Sequence, residues 1–402
     1  MKFDVITIAD LISEIAMGPF GSNIKVECFV DDGIPVLNGS NLNGFVLTED
    51  AFRYVKEEKA DSLGRANAYR GDIVITHRGT LGQIVFIPKN SKYERYVISQ
   101  SQFRVRCNEK ILPEYLVYYF HTRIGQHKLL ANASQVGVPA LARASTTFKT
   151  IEVEVPSMSV QRKIVDLLET IRHKIELNDD INKNLEQQAQ AYFEELFVAN
   201  ADPIWPECTL SDIGTIVAGG TPSKSKVEYY ADHGIAWITP KDLSVDKSKF
   251  ISRGENDISE LGFSKSSAAK MPAGTVLFSS RAPIGYIAIA QNEVTTNQGF
   301  KSIIPKENIG TPYVYFLLKK LLPTIEGMAS GSTFKEISGT GMKSVPTVMP
   351  DTSTIQLFNT FCEPVFKEQE VLEAENKHLS ELRDSLLPKL MSGEIDVSEI
   401  KF

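Results

Sequence analysis

Cysteine is scarce in this chain of 402 residues: Cys28, Cys107, Cys208 and Cys362 are scattered, with no Cys-x-x-Cys spacing. That excludes a disulfide framework and a thiolate zinc site, and it fits reduced thiols in a cytoplasmic protein. Histidine offers no metal site either, because His77, His121, His127, His173, His233 and His378 show no ligand spacing. No apolar run approaches the roughly 20 residues of a membrane-spanning helix, and residues 1–10 lack the apolar core of a signal peptide. No Gly-x-x-x-x-Gly-Lys-Ser/Thr phosphate loop occurs, and Gly219-Gly-Thr-Pro-Ser-Lys224 has the wrong glycine spacing for one. A Gly-x-Ser-x-Gly elbow is missing, as are the Asn/Asp-Pro-Pro-aromatic run of amino-methyltransferases and an acid–acid–Lys nuclease set. The expectation is a chain with no catalytic residue, no metal ligand and no cofactor of its own.

A large excess of either charge is also lacking. The formal charge is −7, but residues 157–200 hold 8 acids against 5 bases and residues 351–402 hold 11 against 5, so these two segments carry −9 and the remainder +2. A solvated face on two helices accounts for the acids, and a local basic face elsewhere stays open. With 42% hydrophobic residues the chain has room for two ordinary domains, each with its own core.

What is present is a pair of long periodic stretches. Over residues 159–197, Ile164, Leu168, Ile171, Ile175, Asn178, Asn182, Leu185, Ala189, Tyr192 and Leu196 step by threes and fours. That spacing predicts a helix that packs lengthwise on another helix, about 55–60 Å long at ~1.5 Å per residue. Pro156 discourages an earlier start, and Ser157 or Ser159 can cap it. Over residues 353–391, Phe358, Phe361, Val365, Leu372, Leu379, Leu382 and Leu386 keep the same step, with Glu368 and Glu375 in the gaps. Pro364 predicts a kink or a detached first stretch in this second helix, and Pro388 marks its frayed end. Asn178 and Asn182 either fix the register of a buried seam or lie exposed where the helices splay.

The two halves align along their length. Gly33-Ile-Pro-Val-Leu-Asn38 answers Gly234-Ile-Ala-Trp-Ile-Thr239, Gly71-Asp-Ile-Val-Ile-Thr-His-Arg78 answers Gly274-Thr-Val-Leu-Phe-Ser-Ser-Arg281, and Thr147-Phe-Lys149 answers Thr333-Phe-Lys335. Each long helix follows a proline and carries a glutamine in its first turns, Gln161 and Gln356. This is one duplication and not a short-period array. Within a copy, residues 72–76, 83–87 and 96–105 read as strands, a helix follows near residues 114–121, and residues 275–279, 286–290 and 294–304 repeat the strands. The domain reading is residues 1–155 and 201–350 as similar globules, with long helices at 156–200 and 351–402. The fold class is α/β, more closely α+β.

Polar loops recur at matched places. The first copy offers Ser22, Asn23 and Lys25 after Gly18-Pro-Phe-Gly, then Asn38 and Asn41, His77, Arg78 and Thr80, Gln100 and Ser101, and Lys149. The second offers Thr221, Ser223, Lys224 and Lys226, then Thr239 and Lys241, Arg281, Asn297 and Gln298, and Ser332 and Lys335. Arg, Lys, Asn and Gln read base edges best, and Ser, Thr and Lys often hold phosphates. For any one of these loops taken alone, ordinary turn chemistry is the favoured account.

The openings Gly18-Pro-Phe-Gly-Ser22 and Gly219-Gly-Thr-Pro-Ser223, the Gly234-Ile-Ala-Trp-Ile238 run, the Pro–Gln-led helices and the closing Leu387-Pro-Lys-Leu-Met-Ser-Gly-Glu-Ile395 resemble the specificity subunit of type I restriction–modification enzymes. The resemblance covers the whole chain. It implies two target-recognition domains separated by two long antiparallel helices, and a bipartite site in double-stranded DNA. It also implies two methyltransferase subunits that bind S-adenosylmethionine, and restriction subunits that translocate and cleave. The rivals are a DNA methyltransferase or nuclease with a degenerate site, and a structural coiled-coil protein without a nucleic-acid role.

Overall fold

In each half of the chain the β-branched runs divide between two sheets. The computed structural model describes residues 2–134, 137–331 and 335–399. In the first half, Ile12–Met17, Gln102–Cys107, Ile73–Thr76 and Ile84–Phe86 form an antiparallel sheet in that spatial order. In the second half, Gly214–Ala218, Lys301–Pro305, Val276–Ser280 and Ile284–Ala290 repeat the order, and Phe250–Ile251 adds a parallel edge. The smaller sheet of each half centres on Ile34–Val36 or Ile235–Ile238, with one antiparallel and one parallel neighbour. Opening and closing strands pair in both copies: Phe3–Thr7 with Glu152–Pro156, and Glu207–Thr209 with Pro346–Val348.

Alternation along the strands explains the layering. Ile73, Ile75 and Ile84 pack with Tyr115 and Phe120 of the helix Pro113–His121, whereas Val74 and Val85 pack with Leu37, Tyr96 and Ile98 of the smaller sheet. The second copy repeats this: Val276 and Phe278 face Tyr313 and Phe316 of Thr311–Met328, and Leu277 and Ala288 face Ala236 and Ile238. A strand buried on both faces reads as a continuous apolar run, which is how these strands look in the sequence.

Two expected single strands are broken. Residues 96–105 divide into Arg95–Val97, in the smaller sheet, and Gln102–Cys107, in the larger one. Residues 294–304 divide likewise into Thr295–Thr296 and Lys301–Pro305. One straight strand cannot serve both sheets, so the chain turns between them. Side chains close the turn: Gln102 Oε1 accepts from the Ser99 N–H at 2.8 Å, and Asn297 Oδ1 accepts from the Gly299 N–H at 2.8 Å.

The first long helix spans Met158–Glu194 and continues as a π-helical turn, Glu195–Ala199. The second spans Thr352–Ser392 without a break. Pro364 and Pro388 therefore neither detach its first stretch nor end it. Both prolines lie on the exposed side, where water can satisfy the carbonyls that lose a donor. The end falls at Gly393, whose φ of +77° suits a glycine C-cap.

Two compact units divide the chain: one holds the first copy and everything from Leu379 onward, the other runs from Ile175 to His378. In the first unit, Ile164, Val165 and Leu168 of the first helix and Leu387, Leu390 and Met391 of the second join the core around Tyr115 and Val153. In the second unit, Ala189, Phe193 and Phe197 and then Ile355, Phe358, Cys362 and Phe366 join the core around Tyr313 and Phe316. There the helices run antiparallel, with the Tyr192 ring 4.8 Å from Phe361 and the Asn178 amide donating to Glu375 at 2.8 Å and to Asn376 at 2.9 Å. Asn178 is fully buried and Asn182 half-buried, which decides for the seam. The second helix is turned slightly from its expected face: Phe361 and Leu382 are exposed, and Gln369 fills the gap assigned to Glu368. It packs on a globule as well as on a helix, so a single narrow stripe does not describe its buried face.

The glutamines of the two helix starts are not equivalent. Gln161 is buried, accepting from the Leu112 N–H and donating to the Lys110 carbonyl, both at 3.0 Å. Gln356 is exposed. Asn359 performs that task in the second copy, accepting from the Tyr313 N–H at 3.3 Å and donating to the Ile309 carbonyl at 2.7 Å.

Candidate nucleic-acid interface

The turn between the two sheets is where the polar loops of each copy meet. In the first copy, the Gly18 N–H donates to the Gln102 carbonyl at 2.8 Å. A Cβ on Gly18 would fall on the Ser99 carbonyl, and one on Gly21 would fall on the Gln100 side chain, so the glycines permit this close seating. The His77 N–H donates to the Ser101 carbonyl at 2.8 Å. The Gln102 side chain donates to the Asn38 carbonyl at 3.3 Å, and Gln83 donates to the Gly39 carbonyl at 2.9 Å. Four of the five expected loops thus converge. Lys149 is placed elsewhere, in a polar cleft along the edge strand with Arg65, Ser145 and Met17.

The second copy repeats the assembly with different side chains. The Gly220 N–H donates to the Thr296 carbonyl at 2.9 Å, and a Cβ on Gly219 would fall on the Asn297 carbonyl. Thr221 hydrogen-bonds to the Gln298 side chain. The Ser280 N–H donates to the Gly299 carbonyl at 2.7 Å, as His77 does to Ser101, which makes Gln298 the counterpart of Gln100. The Asn297 N–H donates to the Ile238 carbonyl at 3.0 Å, bringing in the Thr239 loop.

Not every candidate faces outward. Asn41 is fully buried, accepting from the Asn38 N–H at 2.9 Å and donating to the Thr48 and Asp50 carbonyls. It holds its loop and is withdrawn as a contact residue. Asn38 and Thr239 each head a capping box, with Asn41 and Asp242 as its second members. Asn297 accepts from Gly299, so its side chain shapes the turn. Asn23, Lys25, Arg78, Thr80, Gln100, Ser223, Lys224, Lys226, Lys241, Gln298 and Lys335 are exposed. Lys25 pairs with Glu27 at 3.5 Å, Lys226 with Glu228 at 3.8 Å, and Lys241 with Glu255. Ser332 and the side chain of Ser22 lie outside the described residues.

The two arginines differ. Arg78 is exposed and makes no ion pair among the described residues, whereas Arg281 Nη1 donates to Glu336 at 3.3 Å. Beside Arg78, burial holds the His77 imidazole below its ordinary value, and the Arg78 charge acts in the same direction.

A family model described as the type I restriction modification DNA specificity domain matches residues 12–187 and again residues 204–375. The chain belongs to that family. Among specificity subunits of type I restriction enzymes, MjaIX of Methanocaldococcus jannaschii is 38% identical over 190 residues, which is 45% of this chain and 44% of that subunit. That alignment therefore spans under half of the relative. The HindI specificity subunit of Haemophilus influenzae is 25% identical over 406 residues, covering 81% of this chain and 87% of that one. The crystal structure of the S subunit of the type I restriction–modification system from M. genitalium superposes with a TM-score of 0.62 over 97% of this chain and 96% of that chain, at 16% identity. At that identity the likeness establishes the shared fold.

In the second specificity domain the sequence reading missed Lys301 and Glu336. Lys301 is nearly buried, with Nζ 3.8 Å from Glu336, 3.4 Å from the Gln298 carbonyl and 3.5 Å from Ser280 Oγ. Burial lowers its pKa, the nearby Glu336 opposes that and Arg281 adds to it. The signal was present in the sequence, since a lysine that interrupts the apolar strand run after Phe300 needs a partner. The counterpart of Glu336 in the first copy is Ala140: Arg78 bridges Ala140 as Arg281 bridges Glu336, and the Leu141 N–H donates to the His77 carbonyl at 2.9 Å as the Ile337 N–H does to the Ser280 carbonyl at 3.1 Å. Lys335, just before this bridge, is therefore not the equivalent of Lys149, which ends the helix Ala144–Lys149, and the match of the two Thr-Phe-Lys runs does not hold.

Proposed function

We propose that this chain is the DNA-specificity subunit of a type I restriction–modification complex, with residues 1–155 and 201–350 each contacting one half of a bipartite site in duplex DNA. The observation that carries the reading is the repeated loop assembly. In both copies a glycine-rich loop, the 38 or 239 loop and a strand end converge on the turn between sheets. Arg78 and Gln100 in one copy, and Arg281 and Gln298 in the other, have the fork and amide chemistry that suits base edges. Lys25, Lys149, Lys224, Lys226, Lys241 and Lys335, with the nearby hydroxyls, suit phosphates. An exposed Lys–Glu pair contributes little, so a phosphate can replace the glutamate at small cost.

In this reading the chain is non-catalytic and works in the cytoplasm. It docks two methyltransferase subunits, which bind S-adenosylmethionine, and it joins restriction and translocation subunits in the full complex. The long helices set the separation of the half-sites and help dock the methyltransferases. The test is assay of the purified chain alone and with its methyltransferase subunits, on plasmid DNA with labelled S-adenosylmethionine. Adenine methylation at one bipartite motif is expected from the assembly and none from the chain alone; turnover by the single chain would overturn the assignment.

A further inference from the structure

Arg281 is offered as a base reader, yet it touches a carboxylate, which by itself would suggest a neutralised surface pair. The surroundings of Glu336 argue otherwise. Its Oε1 lies 3.8 Å from Lys301 Nζ, and Lys301 is nearly buried within the larger sheet of the second copy, so it cannot reach out to a ligand. Lys301, Glu336 and Arg281 together carry one net positive charge. The buried lysine compensates the glutamate, and the outward charge of the arginine survives. The backbone adds restraint: Arg281 and Glu336 form an antiparallel bridge, and Glu336 exchanges two backbone hydrogen bonds with Ser330, at 3.1 and 2.9 Å. Only Nη1 of the guanidinium is engaged by the carboxylate, at 3.3 Å. A guanidinium held at one corner keeps further N–H donors for a base edge, and bidentate recognition rewards a fork that is already oriented.

We infer that Glu336 is a positioning residue for specificity: braced by buried Lys301, it orients the Arg281 fork toward one base pair of the half-site read by the second copy. This rests on the assignment of the second globule as a DNA reader. The first copy lacks the device. The strand register places Phe103 at the position of Lys301, and Arg78 has no ion pair among the described residues. The two half-sites should therefore respond differently to equivalent substitutions.

The experiment uses the full chain assembled with its methyltransferase subunits and a library of random duplexes, with bound sequences read out and affinities measured for the preferred duplex and single-base variants. Glu336→Ala should reduce discrimination at one base pair of the second half-site by roughly tenfold, the scale of a bidentate contact, and leave the first half-site unchanged. Arg281→Lys keeps the charge and loses the fork, so it should loosen the same base pair, and the double variant should add little to either single one. Loss of the whole second half-site would report misfolding of that copy; Arg281→Lys, which leaves the carboxylate in place, then carries the test, and no loosening by it would overturn the inference. Uniformly tighter binding by Glu336→Ala with unchanged base preference would also overturn it, showing a carboxylate that merely repels phosphates, as would no change at all. If the wild-type assembly selects no bipartite motif, the functional assignment itself fails, an outcome distinct from all of these.

Discussion

Burial alone would raise the carboxyl of Glu186, but Lys249 and Lys319 beside it hold it below the ordinary glutamate value. Lys249 is almost fully buried, its own pKa lowered by burial, with the Phe366 ring 4.0 Å from Nζ and Gln369 accepting from it at 2.6 Å. Within this unit the cluster ties the loop before Phe250 to both long helices. Glu186→Gln takes from the buried Lys249 ammonium the carboxylate it touches, leaving Glu373, which accepts from the Lys249 and Phe250 N–H groups, as the other nearby acid. It should cost roughly 3 kcal/mol. Because the folded carboxyl is depressed, its contribution is present above the ordinary value of 4.5 and is lost as pH falls through the folded value. The gap in melting temperature between wild type and Glu186→Gln should therefore narrow as pH drops below about 4.5, by calorimetry. A constant gap down to strong acid would contradict the pairing. None of this was legible in the sequence, because Glu186, Lys249 and Gln369 are far apart in the chain and meet only through the fold. Arg78 was legible, from its match to Arg281. Arg78→Ala should loosen the first half-site by about 1–3 kcal/mol if it reads a base edge and weaken all sequences alike if it holds a phosphate. Unchanged affinity and specificity would remove it from the interface.

At the scale of elements, long apolar periodicities were legible and breaks were not. The helices announced themselves through steps of three and four over more than thirty residues, and Asn178 in the seam was visible as a polar residue in an apolar series. The division of residues 96–105 was hidden, since β-branched and aromatic residues continue through the turn, and the closure by Gln102 depends on a neighbour three residues away. Pro364 misled because its position relative to solvent, on which its cost depends, is a tertiary property. A paired helix is stiff, and stiffness allows its length to set a distance. Inserting four residues near Leu185 adds one turn, about 6 Å along the axis. A spacer longer by about one or two base pairs is expected, at roughly 3.4 Å per step, with unchanged half-sites. Activity retained on the original spacing, or altered half-site bases, would show that the helices are not the ruler. Methylome sequencing of cells carrying the insertion variant checks it.

Across the whole molecule, the duplication was the most legible feature, because matched runs such as Gly71-Asp-Ile-Val-Ile-Thr and Gly274-Thr-Val-Leu-Phe-Ser encode the same buried strand. The loops between those runs were legible only as polar. The sequence alone did not distinguish Asn41, spent inside its loop, from Gln100, exposed at the turn. The two copies repeat one architecture with different outward side chains, which is what two independent readers of different half-sites require. The most direct measurement is to exchange residues 201–350 for the matching segment of a relative with a different motif, and to sequence the methylome of cells carrying the hybrid with its methyltransferase subunits. One half-site is expected to take the relative's sequence while the other stays unchanged; a hybrid in which both half-sites change would show that the two globules are not independent readers.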